Sequence, residues 1–172
     1  MIRSALLSSL AGALLSVAAA PPLRAATPTV QSDAGAIVLK PLTLLKKDDL
    51  DFGTLVPSPG GGTATLDPVT GIVTPTGGIV PLPGGTSPAT FIGAGSRDAP
   101  YQIRLPKNPI TLTRSGGTET MTVSSWTLDG NSTRLINAFE AFQFKVGGQL
   151  TVGPNQAPGT YVGTFDVSVQ YP

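Results

Sequence analysis

The residues best suited to chemistry form an acidic cluster in the first third of the chain. Asp48, Asp49 and Asp51 directly follow the cations Lys46 and Lys47. Carboxylates this close together could bind Ca²⁺ or act as a catalytic pair. The neighbouring lysines favour a simpler interpretation, which is a solvated turn with local ion pairs. We therefore expect an exposed turn here, not an active site.

A second candidate is the segment from Asp129 to Glu140, which has the length of a calcium loop of the EF-hand type. Such loops need glycine at their sixth position for a tight turn, and this chain has Arg134 there. The glycine runs at 60–62 and 84–85 lack the Lys-Ser or Lys-Thr pair of a phosphate-binding loop. We expect no metal site and no cofactor.

The absent residue types exclude more functions than the present ones suggest. The 172 residues include no histidine and no cysteine. This excludes Ser-His-Asp and Cys-His catalysis, thiolate chemistry, ordinary zinc sites and disulfides. Only carboxylate, Ser-Lys or tyrosine chemistry would remain open to an enzyme, so we expect a protein that is not an enzyme.

The first 26 residues have the layout of a secretory signal peptide. A positive start at Arg3 precedes an uncharged run rich in Ala and Leu at 4–20, and small residues come before two prolines. A membrane anchor is the alternative, but Ala and Ser dilute the run and the prolines end it. We predict export to the periplasm, the cell surface or the extracellular space of a bacterium, because exported eukaryotic modules commonly use disulfides.

Removal of the signal peptide would leave one domain with little net charge. It takes away Arg3 and Arg24 and no acidic residue, so the net charge changes from +1 to about −1. A basic surface for nucleic acid is therefore not expected. We predict a flexible N-terminal arm at 27–35 and a single domain at 36–172, without a membrane span.

Composition and pattern predict an all-β fold. The chain has 21 Gly and 17 Pro, which disfavour long helices, while 40% of its residues are hydrophobic. Short alternating segments separated by turns are typical of an immunoglobulin-like β-sandwich of antiparallel strands. Turns are expected at 46–49 and 147–148, and only 135–144 has a helical pattern. The predicted strands are 36–45, 50–56, 63–67, 71–74, 78–80, 90–92, 101–105, 110–113, 119–123, 142–146, 149–152 and 160–171.

The last predicted strand alternates between two faces over eleven residues. This pattern indicates a long strand with one buried face and one solvated face. A long strand at the end of a chain needs a partner, since an unpaired edge invites polymerisation. The residues of the first face are Tyr161, Gly163, Phe165, Val167, Val169 and Tyr171.

This C-terminal pattern resembles that of subunits of chaperone–usher pili. Tyr171 is the penultimate residue, Gly159 is fourteenth from the carboxyl end, and Val167 and Val169 supply the alternation. The resemblance implies an immunoglobulin-like fold that lacks its final strand and accepts the N-terminal arm of a neighbouring subunit. It also implies a periplasmic chaperone and an outer-membrane usher as partners. The implied interaction residues are Gly159, Tyr161, Phe165, Val167, Val169 and Tyr171.

Three further segments are similar to the family called domain of unknown function 4402. They are Leu-Asp-Phe-Gly-Thr at 50–54, Gly-Gly-Gln-Leu at 147–150 and Asn-Gln-Ala-Pro-Gly-Thr-Tyr at 155–161. The resemblance runs from about Ala36 to Tyr171. It implies an exported, uncharacterised bacterial β-protein.

Two functional hypotheses remain open at this point. The first is a pilin-like (fimbrial) structural subunit that assembles through strand addition, with a role in cell-surface adhesion or biofilm. The second is a self-contained secreted or periplasmic sandwich that binds a glycan or a protein. A cluster of exposed Trp126, Tyr101 or other aromatics on one face, with measurable glycan binding, would favour the second.

Overall fold

The computed structural model describes residues 29–172. Its contacts divide the chain into two units, and the boundary along the sequence lies between Ala36 and Ile37. Of the first unit, residues 29–36 are described; they are exposed and contain no helix or strand. The predicted signal peptide at 1–26 lies outside the described residues. Among those described, no helix is long and apolar enough to cross a membrane.

The second unit consists of antiparallel strands, which confirms the all-β fold class. Turns and bends rich in Gly and Pro connect the strands, as the composition predicts. The strands are β1 Thr43–Asp48, β2 Asp51–Phe52, β3 Leu55–Val56, β4 Gly62–Leu66, β5 Val73–Pro75, β6 Val80–Pro81, β7 Thr86–Ser87, β8 Ala89–Ala94, β9 Pro100–Arg104, β10 Ile110–Arg114, β11 Thr120–Leu128, β12 Thr133–Leu135, β13 Ala141–Val152, β14 Tyr161–Val162 and β15 Ser168–Gln170.

Two sheets of unequal size form the framework. The large sheet has eight strands: six follow the order β1-β8-β13-β11-β10-β14, while β4 pairs with β13 and with β5. The small sheet has three strands in the order β12-β9-β15. Two short ladders, β2–β7 and β3–β6, extend the pairing of β1 with β8 toward the other end of the domain.

The strand order matches six of the seven strands of an immunoglobulin-like sandwich. In such a fold, strands A, B, E and D form one sheet and strands C, F and G form the other. Here β1, β8, β13 and β11 are neighbours in the order A-B-E-D, and β9 pairs with β15 as C pairs with F. In the described part of the chain, no strand takes the place of G beside β15.

The hydrophobic core has two parts along the inner face of β13. The Phe144 cluster lies toward the start of this strand and the Leu66 cluster toward its end. The Phe144 cluster contains Ala89, Phe91, Tyr101, Ile103, Ile136, Phe142, Phe144 and Val146. The Leu66 cluster contains Phe52, Ala64, Leu66, Val73, Ile79, Val123, Leu150 and Val152.

The turn predicted at Gly147-Gly148 is wrong, because β13 continues through both glycines. Gly147 lies where β13 passes from its pairing with β8 to its pairing with β4. A Cβ atom there would collide with the carbonyl oxygen of Leu66 and would lie 2.8 Å from Pro68 Cδ. The glycine therefore allows a close approach of two backbones and does not reverse the chain.

Three other predictions differ from the structure. The first strand begins at Thr43, after Pro41, because proline cannot donate to a strand ladder. The expected turn at 46–49 is mostly strand, since β1 runs to Asp48. The helical pattern at 135–144 is wrong: residues 136–140 are coil and turn between β12 and β13.

Candidate functional site

The last segment of the chain passes from one sheet to the other. β14 pairs with β10 at the edge of the large sheet, and β15 pairs with β9 in the small sheet. Residues 163–167 between them have no strand assignment. The predicted long strand is therefore two short strands joined by an extended link that spans the sandwich.

Side chains alternate along this segment between a core-facing side and a solvent-facing side. Phe165 packs against Trp126 with the rings tilted and their centroids 4.6 Å apart, and it meets Phe91 edge-on at 6.4 Å. The intervening even-numbered side chains are exposed. The half-buried odd-numbered residues are Tyr161, Phe165, Val167, Val169 and Tyr171, of which the last four pack against the Phe144 cluster.

Hydrogen bonds of Tyr161 fix the start of the segment. Its hydroxyl donates to the carbonyl oxygen of Ala157 at 2.7 Å and accepts from Gln156 Nε2 at 2.7 Å. A tyrosine that bonds back to the preceding corner at the start of strand F is characteristic of immunoglobulin-like sandwiches. This contact independently assigns the segment from Tyr161 onward to strand F.

Gly159 lies on the side chain of Arg114 in the same corner. A Cβ atom at Gly159 would be 2.9 Å from Arg114 Cδ, and its φ of +148° favours glycine. The Arg114 guanidinium donates to Glu119 at 2.7 and 3.1 Å and to the Pro158 carbonyl at 3.3 Å. These hydrogen bonds lower the pKa of Glu119 and raise that of Arg114. The ion pair thus holds the corner against the β10–β11 hairpin.

Tyr171 fixes the other end of the segment. Its hydroxyl donates to the Lys40 carbonyl at 2.7 Å and accepts from the Ser96 backbone N–H at 2.9 Å. The Lys40 side chain in turn pairs with Glu140. We call this region, with Lys40, Ser96, Glu140 and Tyr171, the Tyr171 end of the domain. The opposite region, with loops 57–61 and 153–160, is the Tyr161 end.

An open groove separates the β1–β2 side of the domain from the start of the last segment. Two adjoining cavities of about 430 Å³ each form it. Backbone and side chains of 49–52 line one wall, and 160–165 line the other. The apolar residues at its floor and walls are Leu50, Phe52, Leu55, Ile110, Leu112, Met121, Val123, Leu150, Val152, Tyr161 and Phe165.

The groove follows the start of the last segment, and β15, farther along the same segment, is an edge strand with one free side. β15 pairs with β9 alone, so within the described residues its second edge carries unpaired backbone donors and acceptors. An open edge of this kind can bind an added strand. Together with the apolar groove, it offers main-chain hydrogen bonds and side-chain pockets to an extended peptide.

The sites considered first from the sequence do not form a catalytic centre. Asp49 pairs with Lys46, and Asp51 accepts the backbone N–H of Gly53 at 2.8 Å. Asp129 accepts from Arg134 at 2.6 Å, so in the segment compared above with a calcium loop this carboxylate is bound by an arginine side chain. Among the described residues, no three His, Cys, Asp or Glu side chains are grouped to hold a metal ion.

Tyr101 and Trp126 do not form an exposed aromatic platform. Tyr101 is only 1% exposed, stacks on Phe142 at 4.2 Å and has a pKa raised by burial. Trp126 is half-buried against both core clusters.

The opposite wall of the groove is not evident from the sequence. Leu50 and Phe52 belong to the strand predicted at 50–56, and Phe52 is buried, but both also line the groove. Leu112 was assigned only to a strand. Alternation marks these residues as inward-facing, while the missing cover above them depends on strand order, which alternation does not encode.

One protein family matches the sequence. It is described as Domain of unknown function (DUF4402), and the match covers residues 42–171, which includes every strand named above. Comparison with curated proteins and with solved structures found no significant match.

Proposed function

The chain belongs to the family Domain of unknown function (DUF4402), and from this premise we propose that it is an exported, non-enzymatic subunit that assembles by β-strand addition. In this role it resembles pilin subunits and serves cell-surface adhesion or biofilm formation. The observation that carries the proposal is that one segment, 161–171, lines an open apolar groove at its start and has a free strand edge at β15. An added strand would occupy the position of strand G.

The same chain offers a segment that could be the added strand. Residues 29–39, which we call the donor segment, are exposed and have no strand partner among the described residues. Val30, Ile37 and Val38 are each more than 90% exposed. Binding of an exposed apolar segment in an open apolar groove is favourable, because it removes apolar surface of both from water.

One face of the donor segment suits the groove better than the other. The even-numbered face carries Val30, Ser32, Ala34, Ala36 and Val38 and has no charge. The odd-numbered face carries Asp33, whose unpaired burial would be costly. We therefore assign the even-numbered side chains to the groove.

Strand direction favours insertion into a second copy. In a complete sandwich, strand G runs antiparallel to strand F. Lys40, which follows the donor segment, is bonded to Tyr171 at the end of strand F. A donor segment laid along its own strand F would therefore run parallel to it. Only a donor segment from another copy can run antiparallel.

Export and partners follow from this assignment as parts of the same proposal. The predicted signal peptide would deliver the chain to the periplasm, and the finished assembly would lie at the cell surface. Before assembly, the open groove would need a temporary occupant, because exposed edges and apolar surfaces aggregate. A periplasmic chaperone and an outer-membrane usher would supply this protection and the exit path.

Peptide complementation tests the proposal. A variant lacking the whole donor segment, residues 29–39, keeps the groove but cannot donate, and a synthetic peptide of residues 29–40 is added to it. We expect saturable binding and a rise of several degrees in Tm, because a ligand that binds only the folded state stabilises it. The matched control is the same peptide with Val38→Asp, which should have no effect. A variant that melts at the same temperature with and without peptide would refute strand addition.

Substitutions in the last segment provide a second test in the full chain. Val167→Asp places a carboxylate on the core-facing side of the segment, against the Phe144 cluster, and Tyr171→Ala removes the anchor to Lys40. Both should block assembly or chaperone capture, and the solvent-facing control Ser168→Asp should not. Normal assembly in both variants would count against the assigned interaction strand.

The alternative function is a self-contained binding module. The groove favours it in one respect, since cavities of 300–1,000 Å³ are typical of ligand sites and each half measures about 430 Å³. A small apolar ligand that raises the Tm while the 29–40 peptide does not would support this alternative.

A further inference from the structure

Phe139 is an exposed aromatic residue at the Tyr171 end of the domain. Its exposed fraction is 89%, the largest of any aromatic among the exposed hydrophobic residues. The backbone N–H groups of Phe139 and Ala141 both donate to Asn137 Oδ1, at 2.9 and 3.1 Å. The loop is thus fixed while its largest side chain points into solvent, so little conformational freedom would be lost on binding.

The neighbourhood of Phe139 is the place where the donor segment joins the domain. Glu140, the next residue, pairs with Lys40, which directly follows the donor segment. Leu135, which is 67% exposed, lies beside Pro100 in the β12–β9 pair. A surface with two exposed apolar side chains therefore adjoins the base of the donor segment.

The opposite end carries a second apolar pair. Val56 and Val80 face each other across the β3–β6 ladder, with exposed fractions of 46% and 55%. The neighbouring loop 57–61 contacts loop 153–160 through the Asn155 N–H, which donates to the Ser58 carbonyl at 3.1 Å. Residues 53–62, 75–85 and 153–160 include no charged side chain, so this end can be covered without desolvating an ion.

The lengths of the donor segment and of the segment 161–171 would place these two surfaces next to each other in neighbouring copies. The donor segment and the segment 161–171 each have eleven residues, or about 36 Å at roughly 3.3 Å per residue. A donor segment that runs antiparallel along the whole of 161–171 ends beside Tyr161. Lys40 of the donor copy, and with it Phe139, then lies at the Tyr161 end of the acceptor copy.

We infer that Phe139 and Leu135 of one copy pack against Val56 and Val80 of the next copy and form a second, head-to-tail contact. This inference rests on the proposed function, because strand addition sets the direction and the distance. The contact orients successive subunits, whereas the inserted strand alone would leave a flexible joint. Its partner is a second copy of this chain.

Opposite charges introduced on the two sides of the contact test the inference in the full exported chain. Phe139→Lys should weaken self-association about tenfold or more, because one buried aromatic side chain contributes that much. Val80→Glu alone should weaken it similarly, and the double variant should recover most of the loss because the new charges pair. The matched control is Val69→Ser, whose side chain is 63% exposed elsewhere on the domain. Sedimentation velocity over a concentration series measures the association.

Uptake of the 29–40 peptide separates the two proposals. Unchanged peptide affinity in Phe139→Lys together with weakened association supports the second contact. Unchanged peptide affinity with association equal to wild type, or no recovery in the double variant, overturns the second contact alone. Absence of peptide uptake in the wild type overturns strand addition and the second contact with it.

Discussion

The two core clusters share one sheet but differ in what covers them. The Phe144 cluster is closed by the small sheet, whose residues Tyr101 and Ile103 are 1% and 4% exposed. The Leu66 cluster is covered by the short β2 and β3 pieces and borders the open groove. Strand G would complete the cover beside strand F, at the border of the two clusters. Under the proposed strand addition, the half around the Phe144 cluster would hold the fold while the groove binds the added strand.

The difference between the two halves lies in the half-buried residues around the clusters. Removing apolar surface from water contributes about 25 cal/mol per Å², and the members of both clusters, which are at most 8% exposed, have almost no surface left to lose. The half-buried residues of the groove, such as Leu50 and Leu112, still have surface to lose. Burial of that remaining surface would stabilise an added strand in the groove.

Phe144→Ala should produce the largest loss of stability. The side chain is 0% exposed and stacks on Phe91 at a centroid distance of 5.3 Å. Such a truncation leaves a cavity and costs about 3–5 kcal/mol. Chemical denaturation of the full chain measures the free energy of unfolding. If the 29–40 peptide restored most of the lost stability, the halves around the Phe144 and Leu66 clusters would not contribute to stability independently.

Gly147→Ala should cost about 1–3 kcal/mol through overpacking. The added methyl group would meet the Leu66 carbonyl and Pro68, where the two clusters join along β13. The control is Gly116→Ala, where nothing lies within 4 Å of the new Cβ, although its φ of +74° brings a strain penalty. A smaller loss for Gly147 than for Gly116, measured by denaturation, would contradict the close approach of the backbones.

Leu112→Ala should have a smaller effect on the free chain and a larger effect on binding. Leu112 is half-buried and lines both cavities, so its truncation should cost about 1–2 kcal/mol of unfolding free energy. The same change should weaken uptake of the 29–40 peptide severalfold. Titration of the peptide against wild type and variant checks this. Equal peptide affinities would remove Leu112 from the binding surface.

Local patterns in the sequence predict the fold class and most strands, but not the groove. The alternation at 101–105 correctly places Tyr101 and Ile103 inward, with Arg104 exposed. Gly147-Gly148 has the composition of a turn, yet a neighbouring backbone at Leu66 determines its conformation. The crossing of 161–171 between two sheets likewise depends on β10 and β9, which are distant in sequence. Long-range pairing, which no local pattern encodes, determines both the groove and its free edge.

The smallest predicted effect is a pH dependence of stability that arises at the Tyr161 end. The Arg114 guanidinium holds the pKa of Glu119 below its ordinary value of 4.5. A carboxylate with a lowered folded-state pKa adds stability that is fully present above its unfolded pKa. That stability is lost as the pH falls through the folded value. The advantage of wild type over Glu119→Gln should therefore be constant at neutral pH and shrink below about 4.5.

Thermal denaturation of both proteins from neutral to acidic pH measures this advantage, and Arg114→Gln with the double variant completes a cycle that isolates the pair. The Arg114 side chain also donates to the Pro158 carbonyl, so its ion pair fixes the corner that precedes Tyr161. Peptide uptake should fall over the same acidic range, while the Phe144 cluster, which contains no carboxylate, should keep its packing. A pH-independent difference between wild type and Glu119→Gln would show that the ion pair does not hold the corner. The conformation of the Tyr161 end would then depend on the contacts of Tyr161 and Gly159 alone.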